Sequence, residues 1–185
     1  MTLRLNTTVL SASQIDAAET IRKLFLDAGF SEYVAAAAIV NAFRESSLDP
    51  KAKSKSGRYV GLFMLSPDII ASERARQQPD LNTLAIINEA LNSTRFMNVA
   101  ESEDLWELVA AFSTYVERPR DKDVEESQRI LASLMLYPEV PAPSSAIEQA
   151  PSSPASMGSG LGWAWALGGA LVLAWMYKRA KQDDS

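Results

Sequence analysis

The feature that most constrains this chain of 185 residues is an abrupt change of composition near residue 138. Residues 138–157 contain five prolines and five serines and show no hydrophobic period. This composition is typical of an extended, flexible linker and not of a packed element. We therefore predict a folded domain over residues 1–137, a length that suits one domain, and a linker over residues 138–157.

An apolar segment without any charged residue follows the linker, from residue 158 to residue 177. As a helix it would be about 30 Å long at about 1.5 Å per residue, which matches the hydrocarbon core of a bilayer. Tryptophans lie near both of its ends, and basic residues open the polar tail 178–185, as at membrane interfaces. The pattern predicts a single transmembrane helix with the lipid membrane as its partner; a buried core helix is the alternative.

Small residues recur at every fourth position of this apolar segment. They would form one smooth stripe along a helix and allow two copies to pair closely. A span that is merely rich in alanine and glycine is the alternative interpretation. The stripe consists of Gly158, Gly162, Ala166, Ala170 and Ala174.

The chain has no cysteine and no histidine. It therefore cannot use thiol nucleophiles, disulfides, histidine-based triads or Cys/His metal sites. The sequence also has no phosphate loop or dinucleotide fingerprint, so we predict neither a metal nor a cofactor. The formal net charge of -5 argues against nucleic-acid binding. An enzyme of this composition at neutral pH would rely on carboxylates as proton carriers.

Residues 1–137 are predicted to be mainly α-helical, because apolar residues recur at helical spacing and no pair of strands stands out. Only the segment RYVGLFML, residues 58–65, suggests a short extended piece or hairpin. On the fourth predicted helix, Leu84, Ile87 and Leu91 would share an inward face. The predicted helices are opened by Ser13, Ser31, Ser66, Asp80, Ser102, and Asp121 or Asp123.

Glu45 falls near the end of the second predicted helix, after an alanine-rich run. The negative end of the helix dipole and apolar neighbours such as Phe43, Leu62 or Phe63 would raise its pKa. A raised pKa is what a general acid for glycosidic cleavage needs. On these local features alone, a solvated surface charge at a helix end is the alternative.

The residues after Glu45 add an ordered pattern to this single acid. Ser46 follows directly, then a loop with Pro50, and then the motif Tyr59-x-Gly61-Leu62-Phe63. This order of a helix-ending Glu-Ser, a loop and a Gly-Leu-aromatic segment resembles the signature of lysozyme-like lytic transglycosylases.

Three further features resemble the phage tail lysozyme family. NEAL at residues 88–91 and FSTYVERP at residues 112–119 are similar to segments of that family, and an arginine follows in the last helix, here Arg129. The resemblance covers about residues 30–136. It implies a mainly helical, lysozyme-like domain that cleaves the β-1,4 bond between N-acetylmuramic acid and N-acetylglucosamine in peptidoglycan.

The resemblance also implies roles for individual residues. Glu45 would be the catalytic acid/base, used twice by a lytic transglycosylase to form a 1,6-anhydro product. A hydrolase of the usual kind needs a second carboxylate, for which Asp49, Asp68, Glu89 and Glu117 are the candidates. Loop serines, a turn glycine and core aromatics are the alternatives for the other positions. The residues expected to bind substrate are Ser54, Ser56, Tyr59, Gly61, Phe63 and Glu117.

One departure from the pattern keeps other functions open. The position after Gly-Leu-aromatic is usually glutamine, which can hydrogen-bond the substrate, and here it is Met64. A catalytically inactive lysozyme-like domain that serves as a glycan-binding or structural membrane protein of a virion is therefore the second hypothesis. A holin-like or assembly protein acting through the small-residue stripe is the third.

The expected location follows from the predicted span. Basic residues after it predict a cytoplasmic tail and an outward domain, yet the N-terminal sequence has no apolar signal core that would export the domain. The internal membrane of a membrane-containing phage avoids this conflict, and a bacterial inner membrane is the other setting. In a virion, the enzyme would open the host cell wall during entry.

Overall fold

The computed structural model describes residues 3–117 and 122–141, and it describes side chains in these ranges except those of residues 117 and 122–128. The described chain is helical, with a 3₁₀ turn at Thr7–Val9 and a π-helical segment at Ser113–Glu117. The α-helices are α1 Ala12–Asp27, α2 Glu32–Ser46, α3 Glu73–Arg76, α4 Pro79–Asn92, α5 Thr94–Met97, α6 Leu105–Phe112 and α7 Lys122–Leu136. The prediction of a mainly α-helical domain is confirmed.

Helix α2 is the central element of the described domain. It packs against α1, α6 and α7, and α1 also packs against α4. Nearly every residue from Val34 to Ala42 is buried. The small alanines along this helix let its neighbours approach closely. Buried apolar side chains therefore lie on most sides of α2.

An aromatic cluster fills the space between the helices. The ring of Phe112 lies 5.9 Å from that of Phe25, 5.5 Å from that of Phe96 and 6.1 Å from that of Phe63. These are the distances at which tilted and edge-to-face pairs attract. The cluster joins α1, α5 and α6 to the loop that carries Phe63.

The sequence places several helix starts within one or two residues. Ser31 caps α2 as predicted, accepting the N–H of Val34. The first helix is capped by Ser11 and not by Ser13, because Ser11 and Gln14 form a reciprocal capping box. Asp104 caps α6 in place of Ser102 and accepts from the N–H groups of residues 106 and 107.

The helix predicted to start at Ser66 is wrong. Residues 67–69 form a turn, and the short helix α3 begins only at Glu73, after Ser72. The hydroxyl of Ser66 accepts the N–H of Asp68 at 3.3 Å, and this local hydrogen bond favours a turn over a continuing helix.

The predicted inward face of α4 is also wrong in part. Ile87 is buried, but Leu84 and Leu91 are 47% and 50% exposed. The buried side of the helix carries Ile86, Ile87 and Ala90 and begins with two polar residues, Asn82 and Thr83. The buried Asn82 forms hydrogen bonds with the backbone of Phe63 and Arg76 on this inward side, and the apolar spacing along α4 does not reveal these contacts.

The packed body continues to Pro141, beyond the predicted boundary at residue 137. Val140 is buried, and the indole N–H of Trp106 donates to the carbonyl of Pro141 at 2.8 Å. In the described part of the chain, no helix is long and apolar enough to cross a membrane. The remainder of the predicted linker, the predicted span 158–177 with its small-residue stripe, and the tail 178–185 lie outside the described residues.

Candidate active site

Glu45 is the second-last residue of α2 and is half-buried. The helix ends sharply, because Ser47 adopts a left-handed conformation with a φ of 56° and its N–H donates to the carbonyl of Phe43 at 2.8 Å. The side chain of Gln14 on α1 donates to the carbonyl of Ser47 at 2.8 Å. The backbone that carries Glu45 is therefore fixed from two helices.

A buried polar pair lies one helical turn before Glu45. The Nε of Arg129 on α7 donates to Oδ1 of Asn41 at 3.0 Å, and both residues are buried. The amide nitrogen of Asn41 donates to the carbonyls of Ala37 at 2.8 Å and of Val109 at 3.3 Å. Residues four apart share a helix face, so Asn41 and Arg129 place a permanent positive charge on the side of α2 that carries Glu45.

Two consecutive turns lead from Glu45 to a hairpin. The N–H of Asp49 donates to the carbonyl of Ser46 at 3.0 Å, and the N–H of Ala52 donates to that of Asp49 at 3.1 Å. The carboxylate of Asp49 accepts the N–H of Lys51 at 2.8 Å. Asp49 therefore organises this turn.

The predicted hairpin is confirmed. Two antiparallel bridges, Lys53 with Val60 and Val60 with Leu65, join three short extended pieces of chain. The described residues contain no longer strand. Antiparallel pairing of this kind closes a four-residue loop, Gly61 to Met64, between the bridged residues Val60 and Leu65.

Three of the residues predicted to bind substrate lie together on the outer part of this hairpin. The Ser54 hydroxyl accepts the N–H of Tyr59 at 3.1 Å and lies 3.1 Å from the Ser56 hydroxyl. Tyr59 is 37% exposed. The two hydroxyls thus order the turn, and the Tyr59 ring remains accessible for packing against a sugar, which stays a prediction.

Gly61 is required by the protein's own packing. Its φ is 91°, and a Cβ atom built on it would lie 2.2 Å from the carbonyl oxygen of Arg76 and 2.3 Å from Nδ2 of Asn82. The close approach that a glycine permits is therefore made here to residues of α3 and α4. Contact between the Gly61 backbone and a sugar stays a prediction.

Phe63 lies on the buried side of the same loop. It is 4% exposed, and its ring packs against Phe112. In this structure Phe63 is a core aromatic, the alternative that the sequence left open, because the loop turns its side chain into the aromatic cluster. Its predicted role as a platform for sugar packing does not fit this burial.

Asn82 and Arg76 hold the hairpin loop through hydrogen bonds to its backbone. The sequence analysis predicts a role for neither residue. Oδ1 of Asn82 accepts the N–H of Phe63 at 3.0 Å, and its Nδ2 donates to the carbonyl of Arg76 at 2.8 Å. The Arg76 guanidinium, buried itself, donates to the carbonyls of Arg58 at 3.0 Å and Leu65 at 3.3 Å. The one signal in the sequence for this role is Asn82 itself, a polar residue among the apolar residues of α4.

Met64 occupies a strained position at the end of the loop. Its φ is 46°, in the left-handed region that side chains rarely adopt. It is half-buried, so part of it is accessible to solvent. Strained backbone of this kind is concentrated at functional sites, and here it falls on the position where the resemblance leads us to expect glutamine.

Ion pairs reduce the positive charge of the hairpin. Arg58 donates to Asp68 at 2.7 Å, and this hydrogen bond lowers the pKa of the Asp68 carboxyl. Lys53 donates to Glu73 at 2.6 Å and lowers the pKa of that carboxyl. These pairs are exposed and contribute little to stability.

The remaining predicted residue, Glu117, ends the π-helical segment. Its side chain lies outside the described set, so its predicted contact with substrate stays a prediction. Among the residues that the structure describes, no group of three or more aspartates and glutamates could hold a metal ion.

A mainly helical domain with a glutamate in the last turn of its central helix, followed by a short hairpin, is consistent with a lysozyme-like domain. The model of the phage tail lysozyme family matches residues 16–138, and the chain belongs to this family. Membership indicates a lysozyme-like function in the degradation of peptidoglycan. No curated protein and no solved structure matches the chain.

Proposed function

We propose that this protein is a peptidoglycan lytic transglycosylase in which Glu45 is the single catalytic acid/base. One observation carries the proposal: Glu45 lies in the last turn of the central helix α2, with the Arg129–Asn41 pair one turn before it and the hairpin two turns of chain after it. This arrangement combines a glutamate on a well-held backbone, a nearby guanidinium and a hairpin with an exposed aromatic residue.

In the proposed reaction, the Glu45 carboxyl protonates the oxygen that leaves C1 of N-acetylmuramic acid. The C6 hydroxyl of the same sugar attacks C1, and Glu45 accepts the proton of that hydroxyl. The C1–oxygen bond to the next sugar breaks and a C1–O6 bond forms, so water is not consumed. One carboxyl group is sufficient because the proton that it gives to the leaving oxygen is replaced by the proton of the C6 hydroxyl.

Two of the four candidate second carboxylates, Asp49 and Asp68, already have hydrogen-bond partners within the protein, which favours a single-acid reaction. Asp49 accepts the N–H of Lys51, and Asp68 is paired with Arg58. Glu89 lies on α4, and the side chain of Glu117 lies outside the described set. A hydrolase would need one of these at a set distance from Glu45.

The nature of the product tests the proposal. Peptidoglycan is incubated with the full-length protein, and the released muropeptides are analysed by mass spectrometry. We expect 1,6-anhydro-muramyl ends, which are lighter by one water than the reducing ends that a hydrolase leaves. Reducing ends alone would refute the transglycosylase reaction and direct the search to a second carboxylate.

A second candidate function, an inactive domain that only binds glycan, is favoured by Met64. A methionine cannot replace the hydrogen bonds of a glutamine side chain. If the domain is active, Met64→Gln should lower the KM for peptidoglycan, because it adds a hydrogen-bonding group at a half-buried position of the loop. If wild type has no activity and the variant gains it, the inactive alternative describes the natural protein.

We further propose that residues 158–177 anchor the protein in a membrane and that the folded domain opens the host cell wall during virus entry, from the internal membrane of a virion. The uncharged stretch of 20 residues supports the anchor. Flotation of the full chain with liposomes, compared with a chain ending at residue 157, tests the anchor. Protease digestion of the domain in undamaged virions would argue against an internal location.

A further inference from the structure

A polar cavity lies at the opposite end of α4 from the hairpin. Its volume is about 380 Å³, and none of its lining residues belongs to α2 or to the hairpin. It lies between the end of α4, the short helix α5 and the π-helical segment. The lining residues are Asn92, Ser93, Thr94, Arg95, Thr114 and Tyr115.

The walls of this cavity are anchored to the core. Phe96 is fully buried and packs edge-on against Phe112, which fixes α5 directly below the cavity. The Ser93 hydroxyl donates to the carbonyl of Tyr115 at 3.4 Å and so joins the end of α4 to the π-helical segment. π-Helical turns are rare and occur often at functional sites.

The chemistry of the cavity suits an anionic ligand with amide groups. Arg95 is exposed, and it forms no ion pair with any residue that the structure describes. Three hydroxyl groups, one carboxamide and one phenol line the cavity with this cation; the Ser93 hydroxyl already donates to Tyr115 and the Asn92 amide to Asn88. A guanidinium binds a carboxylate through two parallel hydrogen bonds, while hydroxyl and carboxamide groups match the N–H and C=O groups of a peptide.

We propose that this cavity binds the acidic peptide stem that peptidoglycan carries on its muramic acid, with Arg95 holding a stem carboxylate. The inference rests on the proposed function, since it assigns a second part of the same polymer to a second part of the domain. Glu45 and the hairpin act on the sugar chain, and the cavity recognises the peptide that distinguishes peptidoglycan from uncharged glycans such as chitin.

The test compares two tetrasaccharides of alternating N-acetylglucosamine and N-acetylmuramic acid. One carries Ala-Glu stems with free carboxylates, and the other carries the same stems with those carboxylates amidated. Binding is measured by calorimetry with the full-length Glu45→Gln protein, which prevents turnover. We expect amidation to weaken binding about tenfold, as for loss of one hydrogen-bonded charge pair at a partly exposed site.

Three variants in this background locate the effect. Arg95→Gln should abolish the difference between the two ligands, Arg95→Lys should retain part of it, and the exposed, distant-in-sequence Arg4→Gln should retain all of it. Thermal melts establish that each variant is folded. Arg4→Gln and Arg95→Gln each remove one positive charge. A general electrostatic effect would therefore reduce the difference in binding between the two ligands equally in both variants, and this result would overturn the proposal.

The other possible binding results also test whether the cavity binds the peptide stem. Equal binding of the two ligands, a difference that survives Arg95→Gln, or no binding of either ligand would overturn the peptide site. Wall cleavage by wild type in the same preparation would leave the transglycosylase proposal intact in each of these cases. Absence of both binding and cleavage would refute the two proposals together.

Discussion

The Nε of Arg129 donates to Oδ1 of Asn41 at 3.0 Å across the buried contact between α7 and α2. This hydrogen bond joins residues 88 positions apart and lies one helical turn before Glu45. A guanidinium in the interior requires acceptors, because burying an unpaired charge is costly. The pair therefore couples the stability of the domain to the geometry of its candidate acid.

The first prediction concerns this pair. Asn41→Leu should lower the free energy of unfolding by about 2–3 kcal/mol, since it removes one acceptor of a buried charged group. Urea denaturation measures the change. Asn92→Leu is the control, because Asn92 makes the same hydrogen bond to the carbonyl four residues earlier, at 2.8 Å, but is exposed. Equal losses for the two variants would contradict the importance of burial.

The second prediction concerns the hairpin glycines. Gly61→Ala should cost about 3 kcal/mol, because its Cβ would overlap Arg76 and Asn82 in addition to the strain of a positive φ. Gly57 also has a positive φ, 72°, but no atom lies within 4 Å of the Cβ position. Gly57→Ala should therefore cost only about 1 kcal/mol. Thermal or urea unfolding of both variants would show whether the close approach exists.

The third prediction tests which side of α4 faces the core. Ile87→Ala should destabilise the domain by about 2–4 kcal/mol, because the side chain is buried. Leu84→Ala should change stability by less than about 1 kcal/mol, because that side chain is 47% exposed. The reverse order in a denaturation experiment would restore the inward face that the sequence pattern predicts.

The fourth prediction concerns alkaline pH. Burial raises the pKa of the Tyr137 phenol above its ordinary value, and the nearby carboxylates of Glu139 and Glu32 act in the same direction. The folded state thus favours the neutral phenol, whereas the unfolded chain ionises near pH 10. The stability that the neutral Tyr137 phenol contributes is complete below about pH 10 and is lost as the pH rises above this value.

Denaturation between pH 9 and pH 11 measures this contribution. Tyr137→Phe should flatten the loss of stability over that range relative to wild type, since phenylalanine cannot ionise. Tyr59→Phe, at an exposed position, should leave the slope unchanged. An identical slope in all three proteins would contradict a role for Tyr137.

The sequence could predict the parts of the fold that depend on neighbours along the chain. Ser31 and the alanine-rich run define α2, and the glycine of the Gly-Leu-Phe motif marks the hairpin. Ser11 and Ser13 could each cap the first helix. Ser11 is the cap because the Gln14 side chain completes a capping box with it. The prediction was therefore correct for the element and wrong for its first residue.

The parts that could not be predicted depend on partners far away in sequence. Asn41 meets Arg129, and Asn82 meets the hairpin loop, only after the helices have packed. Tyr59 is exposed and Phe63 is buried in the folded hairpin, whose loop has a positive φ at Gly61 and at Met64. Neither the partners nor these dihedral angles are encoded by a local pattern, so both aromatics looked equally suitable for sugar binding.

The most direct test of the account is the rate of peptidoglycan cleavage by Glu45→Gln. The full-length variant is compared with wild type and with Glu101→Gln, which alters an exposed glutamate in a turn. We predict that Glu45→Gln lowers kcat by about a hundredfold to ten-thousandfold, the usual contribution of a general acid, while folding and glycan binding persist and Glu101→Gln retains full activity. Cleavage at the wild-type rate by a well-folded Glu45→Gln protein would contradict the assignment of Glu45 as the catalytic acid.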